Sequence, residues 1–314
     1  MKFSVVITTY NRLDLLKRAI DSACNQTIEC EVVVADDCSS DDTQNYVQSL
    51  GDKVVYHRNE VNLGHAATVN AGVAKATGDW IKFLDDDDYL ATNCIEEITK
   101  AIALRPDAVI CSCVAAQVDA NEVELSRTPQ VGPGLAFYIP QADIHYGMLL
   151  EVVPFGTPAQ VACQRDAFVQ TGGWDSTLDA NCDDIDSWIK VAQFGDAIFL
   201  NQCLAYRTIW PGAYNQKFSL SRRLATNILM KEKIYALVNE EHRVKIPRFQ
   251  DIKNYLKLHW SIVALKQKNI KSFLSMIEPS AFSPQSWKFL VSAALSRRTQ
   301  GNNSQVRKFV LIES

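Results

Sequence analysis

Four short β-branched runs, each broken by polar residues and separated by helical patterns, leave the first part of this chain few folds to choose from. The runs are 3–9 (FSVVITT), 31–36 (EVVVAD), 53–58 (KVVYHR) and 79–84 (DWIKFL). Each reads as a strand, the first of them buried. Between the first two, Leu13, Leu16, Ala19, Ile20 and Ala23 recur at helical spacing over Arg12–Cys24. After the second comes an acidic turn, DDCSSDDT, in which Ser40 or Asp41 is placed to cap a helix. Residues 65–76 predict a helix of small side chains stopped by Gly78. A helix near 93–104 and a strand near 107–116 continue the alternation. The pattern implies an α/β fold, with a mostly parallel central sheet covered by helices. Such sheets bind ligands at the carboxyl ends of their strands. Three polar clusters fall there: Thr8–Asn11, Asp36-Asp37 and Asp85–Asp88.

Farther on the pattern loosens. Residues 117–160 hold Pro129, Pro133, Pro140, Pro154 and Pro158, which predicts loops and hairpin edges beside a substrate pocket. Gly172-Gly173-Trp174-Asp175 reads as a turn, 183–194 as a helix and 197–208 as a strand. From 219 the periodicity is helical, over 219–240, 250–267, 270–277 and 284–297, with no internal repeat. The change of pattern divides the chain into two parts, 1–215 and a helical region over 216–314. Charge divides similarly. Residues 241–314 carry 13 Lys+Arg against 4 Asp+Glu, a balance of +9; the preceding residues carry 19 against 32, a balance of −13.

Composition removes several classes. A hydrophobic share of 47% excludes disorder, and 13 Gly with 10 Pro exclude a collagen-like chain. No apolar run reaches the roughly 18–20 residues of a membrane-spanning helix, and MKFSVVITTYNR is too interrupted for a secretory signal. Nine scattered cysteines without a C-x-x-C pair predict free thiols in a reducing cytoplasm, Cys111 and Cys113 sharing one strand face.

The run Asp85–Asp88 carries the strongest chemical signal. Adjacent carboxylates repel by about 1 kcal/mol or more per pair at a partly exposed site. A hard divalent cation offsets that, and Mg²⁺ or Mn²⁺ leaves coordination positions open for phosphate. A solvated acidic turn is the alternative.

Several segments, in order, resemble the inverting glycosyltransferases of family 2, which have the GT-A fold. They are VVITTYNR, VVVADDCSSDDT, Asn62-Leu63-Gly64, Asn70-Ala71-Gly72, the run from Gly78 to Asp88, and Gly172–Asp175 followed by Asp183–Trp188. The resemblance covers residues 1–215 and implies a nucleoside-diphosphate sugar donor, a UDP-sugar first, and a saccharide or lipid-linked saccharide acceptor. It implies donor contacts at Thr8, Tyr10, Arg12, Asp37, Asn70, Asp85 and Asp86, with the Tyr10 ring on the base. Asp37 would accept an imino N–H of uracil, unless Asp36 takes that place. Asp85 and Asp87 would form the D-x-D pair that holds Mn²⁺ or Mg²⁺, while Asp88 would cap the next helix. Gly173, Trp174 and Asp183 would face the acceptor, Trp174 on a sugar or in the core. Asp184 would be the general base of a single displacement, with Asp183 and Asp186 as alternatives; Asp183 and Asp184 would also suit helix capping.

The chain departs from the family twice. Thr68-Val69-Asn70 lacks an arginine, and Tyr206-Arg207-Thr208-Ile209-Trp210 lacks a late histidine. His65 lies beside the donor loop but reads as an ordinary surface residue. No Walker A, G-x-S-x-G or G-x-G-x-x-G is present. The basic helical region suits either a peripheral contact with an anionic membrane or packing on the catalytic domain or on a second subunit, as in a homodimer; no nucleic-acid module is present. Two rivals stand beside transfer: a sugar nucleotidyltransferase, whose glycine-rich loop is missing after the first strand, and a non-catalytic nucleotide-sugar-binding partner.

Overall fold

The computed structural model describes residues 1–178, 182–210, 218–277 and 283–299. The chain forms two compact units, Met1–Gln141 with Phe155–Ala213, and Ala142–Pro154 with Tyr214–Ser314. The boundary expected at 215/216 lies outside the described residues.

The first unit opens as the periodicity predicts: β1 (Phe3–Thr9), α1 (Leu13–Cys24), β2 (Glu31–Asp36), α2 (Thr43–Ser49), β3 (Val55–Arg58), α3 (His65–Lys75) and β4 (Trp80–Asp85). A short β5 (Tyr89–Leu90), α4 (Cys94–Leu104) and the long β6 (Ala108–Val118) follow. The proline-rich stretch contains strands β7 (Glu124–Arg127) and β8 (Ala136–Ile139), and also a helix, α5 (Gln141–Leu149), where only loops and hairpins were expected. Then come β9 (Val161–Gln164), α6 (Arg165–Gln170), α7 (Asp183–Val191) and β10 (Asp196–Thr208).

One sheet runs in the order β3-β2-β1-β4-β9-β6-β10-β5, with β7 beside β6 and β8 beside β10. The β3-β2-β1-β4 half is parallel, as predicted; β9 inserts antiparallel between β4 and β6, so the whole sheet is mixed. Register sets the site. Thr9 lies opposite Asp36 on β2, and Thr8 opposite Asp85 on β4, so three strands deliver polar ends at one level.

Alternation along β1 sends Phe3, Val5 and Ile7 into a core with Leu16, Ile20, Ile95 and Ile98 from α1 and α4. Val6 faces α3, where a Cβ on Gly72 would stand 2.6 Å from Val6 Cγ1, so only glycine permits this approach. Lys82 is fully buried in β4. Its ammonium donates to the carbonyls of Phe83, Pro158, Ala159 and Val161, which satisfies the charge and ties β4 to the segment entering β9. None of the nine cysteines is in a disulfide, and Cys111 and Cys113 share a buried face.

The second unit holds α8 (Leu220–Leu237), α9 (Glu240–Arg243), α10 (Phe249–Lys266), α11 (Ile270–Ile277) and α12 (Pro284–Thr299). α10 packs against α8, α11 and α12. The segment Ala142–Pro154 belongs with these helices: Lys231 Nζ donates to Leu149 O at 2.7 Å and pairs with Glu151 at 3.0 Å. His242 meets Asp143 at 2.5 Å and stacks on Tyr146. Among the described residues, no helix is long and apolar enough to cross a membrane.

Candidate active site

The acidic loop after β4 is held from several sides. Asp85 is partly exposed and meets Thr8 Oγ1 at 3.3 Å and His65 Nε2 at 3.0 Å. Asp86 is fully buried, accepting from Thr9 Oγ1 at 2.8 Å and pairing with Arg12 at 3.0 Å, so it does not face an open site. Asp87 pairs with the other guanidinium nitrogen of Arg12 at 2.9 Å. Asp88 does not cap α4, which starts after Asn93; it accepts the Thr208 N–H at 3.0 Å and joins the loop to β10. Arg18 braces the same loop, donating to Asp87 O and Thr208 Oγ1 at 2.6 Å each.

Position along the loop decides each carboxyl's character. Burial alone would raise Asp85, but His65, Arg12 and Arg207 outweigh it and hold it below the ordinary value. Burial pushes Asp86 up to about 7 despite Arg12. Asp87 rises through burial and Asp85, and Asp88 rises well above the usual range through burial beside Asp87 and Asp85. Oxygens of Asp85, Asp87 and Asp88 all lie within 4.8 Å of one another. An all-oxygen set of clustered carboxyls fits a hard divalent cation.

The carboxylates expected to meet the nucleotide stand at the end of β2. Asp36 is fully buried and accepts from Ser39 N at 2.8 Å and Tyr56 Oη at 2.6 Å. Asp37 accepts from Asn59 Nδ2 (2.9 Å), Leu63 N (2.7 Å) and Gly64 N (2.9 Å). It thereby fixes the Asn62–Gly64 loop and the start of α3. Tyr10 is 45% exposed beyond the end of β1.

α7 carries the acidic residues expected on the acceptor side. Cys182 precedes its first turn in a left-handed conformation, and Asp183, Asp184 and Asp186 lie in that turn. Asp183 meets His65 Nδ1 at 3.4 Å, and Asp186 pairs with Lys190 at 3.0 Å. Asp184 accepts only from Ile185 N, at 2.7 Å, among the described residues. Burial and the neighbouring Asp183 push its carboxyl up to about 7. Gly172 and Gly173 both have positive φ, and a Cβ on Gly173 would lie 2.4 Å from Asn70 Oδ1. Asn70 clasps this turn, donating to Trp174 O and accepting from Trp174 N, both at 2.9 Å. Of the two places open to Trp174, the structure shows the core: it is 2% exposed and packs on His65, Phe83 and Trp188.

These contacts form one continuous set. Asp37 holds Gly64, the next residue is His65, and His65 bridges Asp85 and Asp183 beside Asp184. His65 is the residue that sequence reasoning passed over. Burial opposes its charge, but Asp85 and Asp183 outweigh that and hold the imidazole protonated well above its ordinary pKa. The available signal was its position directly after Gly64, at the first turn of α3.

Comparison with known proteins agrees in one direction. The profile described as Glycosyl transferase family 2 matches residues 4–172. A Campylobacter jejuni protein named GalNAc(5)-diNAcBac-PP-undecaprenol beta-1,3-glucosyltransferase is 39% identical over 102 residues, 31% of this chain and 33% of its own. The succinoglycan biosynthesis protein ExoO of Rhizobium meliloti is 34% identical over 135 residues, 40% and 39% of the two chains. The chain thus spans well under half the length of these relatives. S. aureus TarS in complex with UDP-GlcNAc superposes with a TM-score of 0.61 at 16% identity, covering 88% of this chain and 91% of that one. The Pyrobaculum calidifontis mannosyltransferase PcManGT, bound to GDP-Man and Mn²⁺, gives 0.56 at 17% identity over 94% and 80%. At such identities the superpositions establish a shared fold.

Proposed function

This chain belongs to glycosyl transferase family 2, and we propose that it moves a hexosyl group from a UDP-sugar to a hydroxyl of a saccharide or lipid-linked saccharide, with inversion at the anomeric carbon. The observation that carries the reading is the His65 bridge, which joins carboxylates of the β4 loop to those of α7 in one constellation. A displacement needs both: groups that hold the leaving diphosphate and a base on the opposite side.

Asp37 recognises the base. A carboxylate has about four acceptor positions, and three are filled by Asn59, Leu63 and Gly64, so one remains for a ring N–H. Uracil offers such a group, and so does guanine. Tyr10 presents an exposed ring for stacking. Asp85 and Asp87, with Asp88, would hold Mn²⁺ or Mg²⁺, which when bound supplies charge neutralisation for the departing diphosphate. Arg12 spans Asp86 and Asp87 and steadies the loop.

Asp184 takes the proton of the incoming hydroxyl as oxygen attacks the anomeric carbon. Asp183 and Asp186 are engaged by His65 and Lys190, whereas Asp184, among the described residues, accepts only the Ile185 N–H. A carboxyl near pH 7 is well matched to a base that must accept a proton and release it again. The relatives' names, one a glucosyltransferase of an undecaprenol-linked saccharide and one a succinoglycan biosynthesis protein, support a role in polysaccharide assembly.

The test is a thermal-shift series with UDP, GDP, CDP and ADP, each with and without Mn²⁺. UDP with Mn²⁺ should raise Tm most, and Asp87→Ala should abolish the metal-dependent part while leaving the ligand-free Tm within a few degrees. No shift with any nucleoside diphosphate overturns the reading; a preference for GDP overturns the donor assignment.

A further inference from the structure

We propose that the turn between α10 and α11 is a docking surface for an anionic lipid bilayer. Three large aliphatic side chains stand out there: Leu265 is 47% exposed, Ile270 54% and Leu274 62%. Single exposed apolar residues are ordinary on any surface. These three occupy one short stretch, Leu265 in the last turn of α10 and Ile270 and Leu274 one turn apart on the same face of α11. Met276, on another face of α11, is buried, so the helix divides its apolar residues between the interior and the outside.

Charge selects the partner. Lys266, Lys268 and Lys271 are exposed and flank the three aliphatic side chains. Lys253 and Lys257 lie farther back on α10. No Asp or Glu occurs anywhere from 252 to 277. A protein partner with a mixed surface would leave such a stretch without a reason to exclude every carboxylate. A bilayer presenting phosphate headgroups over a hydrocarbon interior answers both features: the ammonium groups stay at headgroup level while Leu265, Ile270 and Leu274 enter below them. The turn is built for projection. Asn269 N–H returns to Ala264 O at 2.9 Å, Lys268 N–H to Leu265 O at 3.0 Å, and Lys268 takes a left-handed φ of 58°, which lets α10 reverse into α11 within three residues.

The surface goes beyond the proposed transfer reaction and rests on it only for its purpose, since a lipid-linked acceptor resides in the bilayer. Binding is therefore measured without turnover, on the full chain, by co-sedimentation with vesicles of phosphatidylcholine alone or with added phosphatidylglycerol. The chain should pellet with the anionic vesicles, be released by salt, and stay in solution with the neutral ones. Lys266→Gln, Lys268→Gln and Lys271→Gln should each lower partition about fivefold. Combined Ile270→Ser and Leu274→Ser should also lower binding to the anionic vesicles at low salt and leave the UDP-induced Tm shift as in the parent. Equal binding to both vesicle types, or none to either, overturns the proposal. So does a dimer in sedimentation equilibrium that Ile270→Ser dissociates, because the face would then belong to a second copy.

Discussion

The chain contains two acidic runs, Asp85–Asp88 after β4 and Asp183–Asp186 at the start of α7, nearly alike in composition and opposite in physical character. After the strand, the backbone turns tightly, and oxygens of three of the four carboxyls come within 4.8 Å. Repulsion there is offset by Arg12, His65 and Arg207, each supplied by a different element. In the helix, successive residues point about 100° apart, so three carboxyls disperse onto separate surroundings: Asp183 to His65, Asp186 to Lys190, and Asp184, among the described residues, to its neighbour's N–H. A strand-end loop concentrates charge and suits a cation; a helix start separates charge and leaves one carboxylate free to act by itself.

The sharpest way to break this distinction is Asp184→Asn. If the helix run contains one base, donor hydrolysis and sugar transfer should fall about 100- to 10,000-fold, while UDP with Mn²⁺ still raises Tm as in the parent. The parent's rate should climb as pH rises through about 7 and then level, because only the deprotonated carboxylate accepts the proton. A rate within a factor of about three of the parent, or a profile flat between about pH 6 and 8, would show that the proton goes elsewhere.

A second variant probes how the two runs are brought together. Asn70 closes a reciprocal pair of hydrogen bonds on Trp174, and Trp174 packs on His65. Asn70→Ala removes both bonds and leaves the buried Trp174 backbone N–H unpaired, which costs about 2 kcal/mol. Denaturant unfolding should show that loss. The KM for donor should change little if Asn70 only holds the turn; a large KM effect with unchanged stability would instead make it a donor contact.

How much of this was legible beforehand follows from sequence distance. β1 to β4 and their helices announce themselves because periodicity is local, and Thr8, Asp36 and Asp85 could be placed at strand ends from one run each. β9 was invisible: four residues after a proline carry too little alternation, and its place between β4 and β6 depends on partners far along the chain. α5 hid in a proline-rich stretch because its surroundings, not its own pattern, stabilise it. Asp88 looked like a helix cap, since the Thr208 N–H that claims it lies 120 residues away. His65 looked bland for the same reason, its two carboxylates being 20 and 118 residues distant.

That histidine gives the finest test of the comparison, because it touches both runs. His65→Gln keeps a hydrogen-bonding side chain and removes the charge. The folded imidazole titrates well above 6.5, so the stability it lends is fully present below about 6.5 and disappears as pH rises through the folded value. Asp85 sets the lower edge: its folded pKa is depressed below 3.8, so its share is present above about 3.8 and is lost as pH falls through the folded value. In metal-free buffer the parent should therefore exceed His65→Gln by about 1 kcal/mol near pH 6, a figure kept small by the ring's partial exposure. The gap should close toward alkaline pH. A difference that stays constant from about pH 6 to 10 would mean that packing against Trp174, not charge, is what the imidazole contributes, and that the β4 loop and α7 are held together by shape rather than by a shared cation.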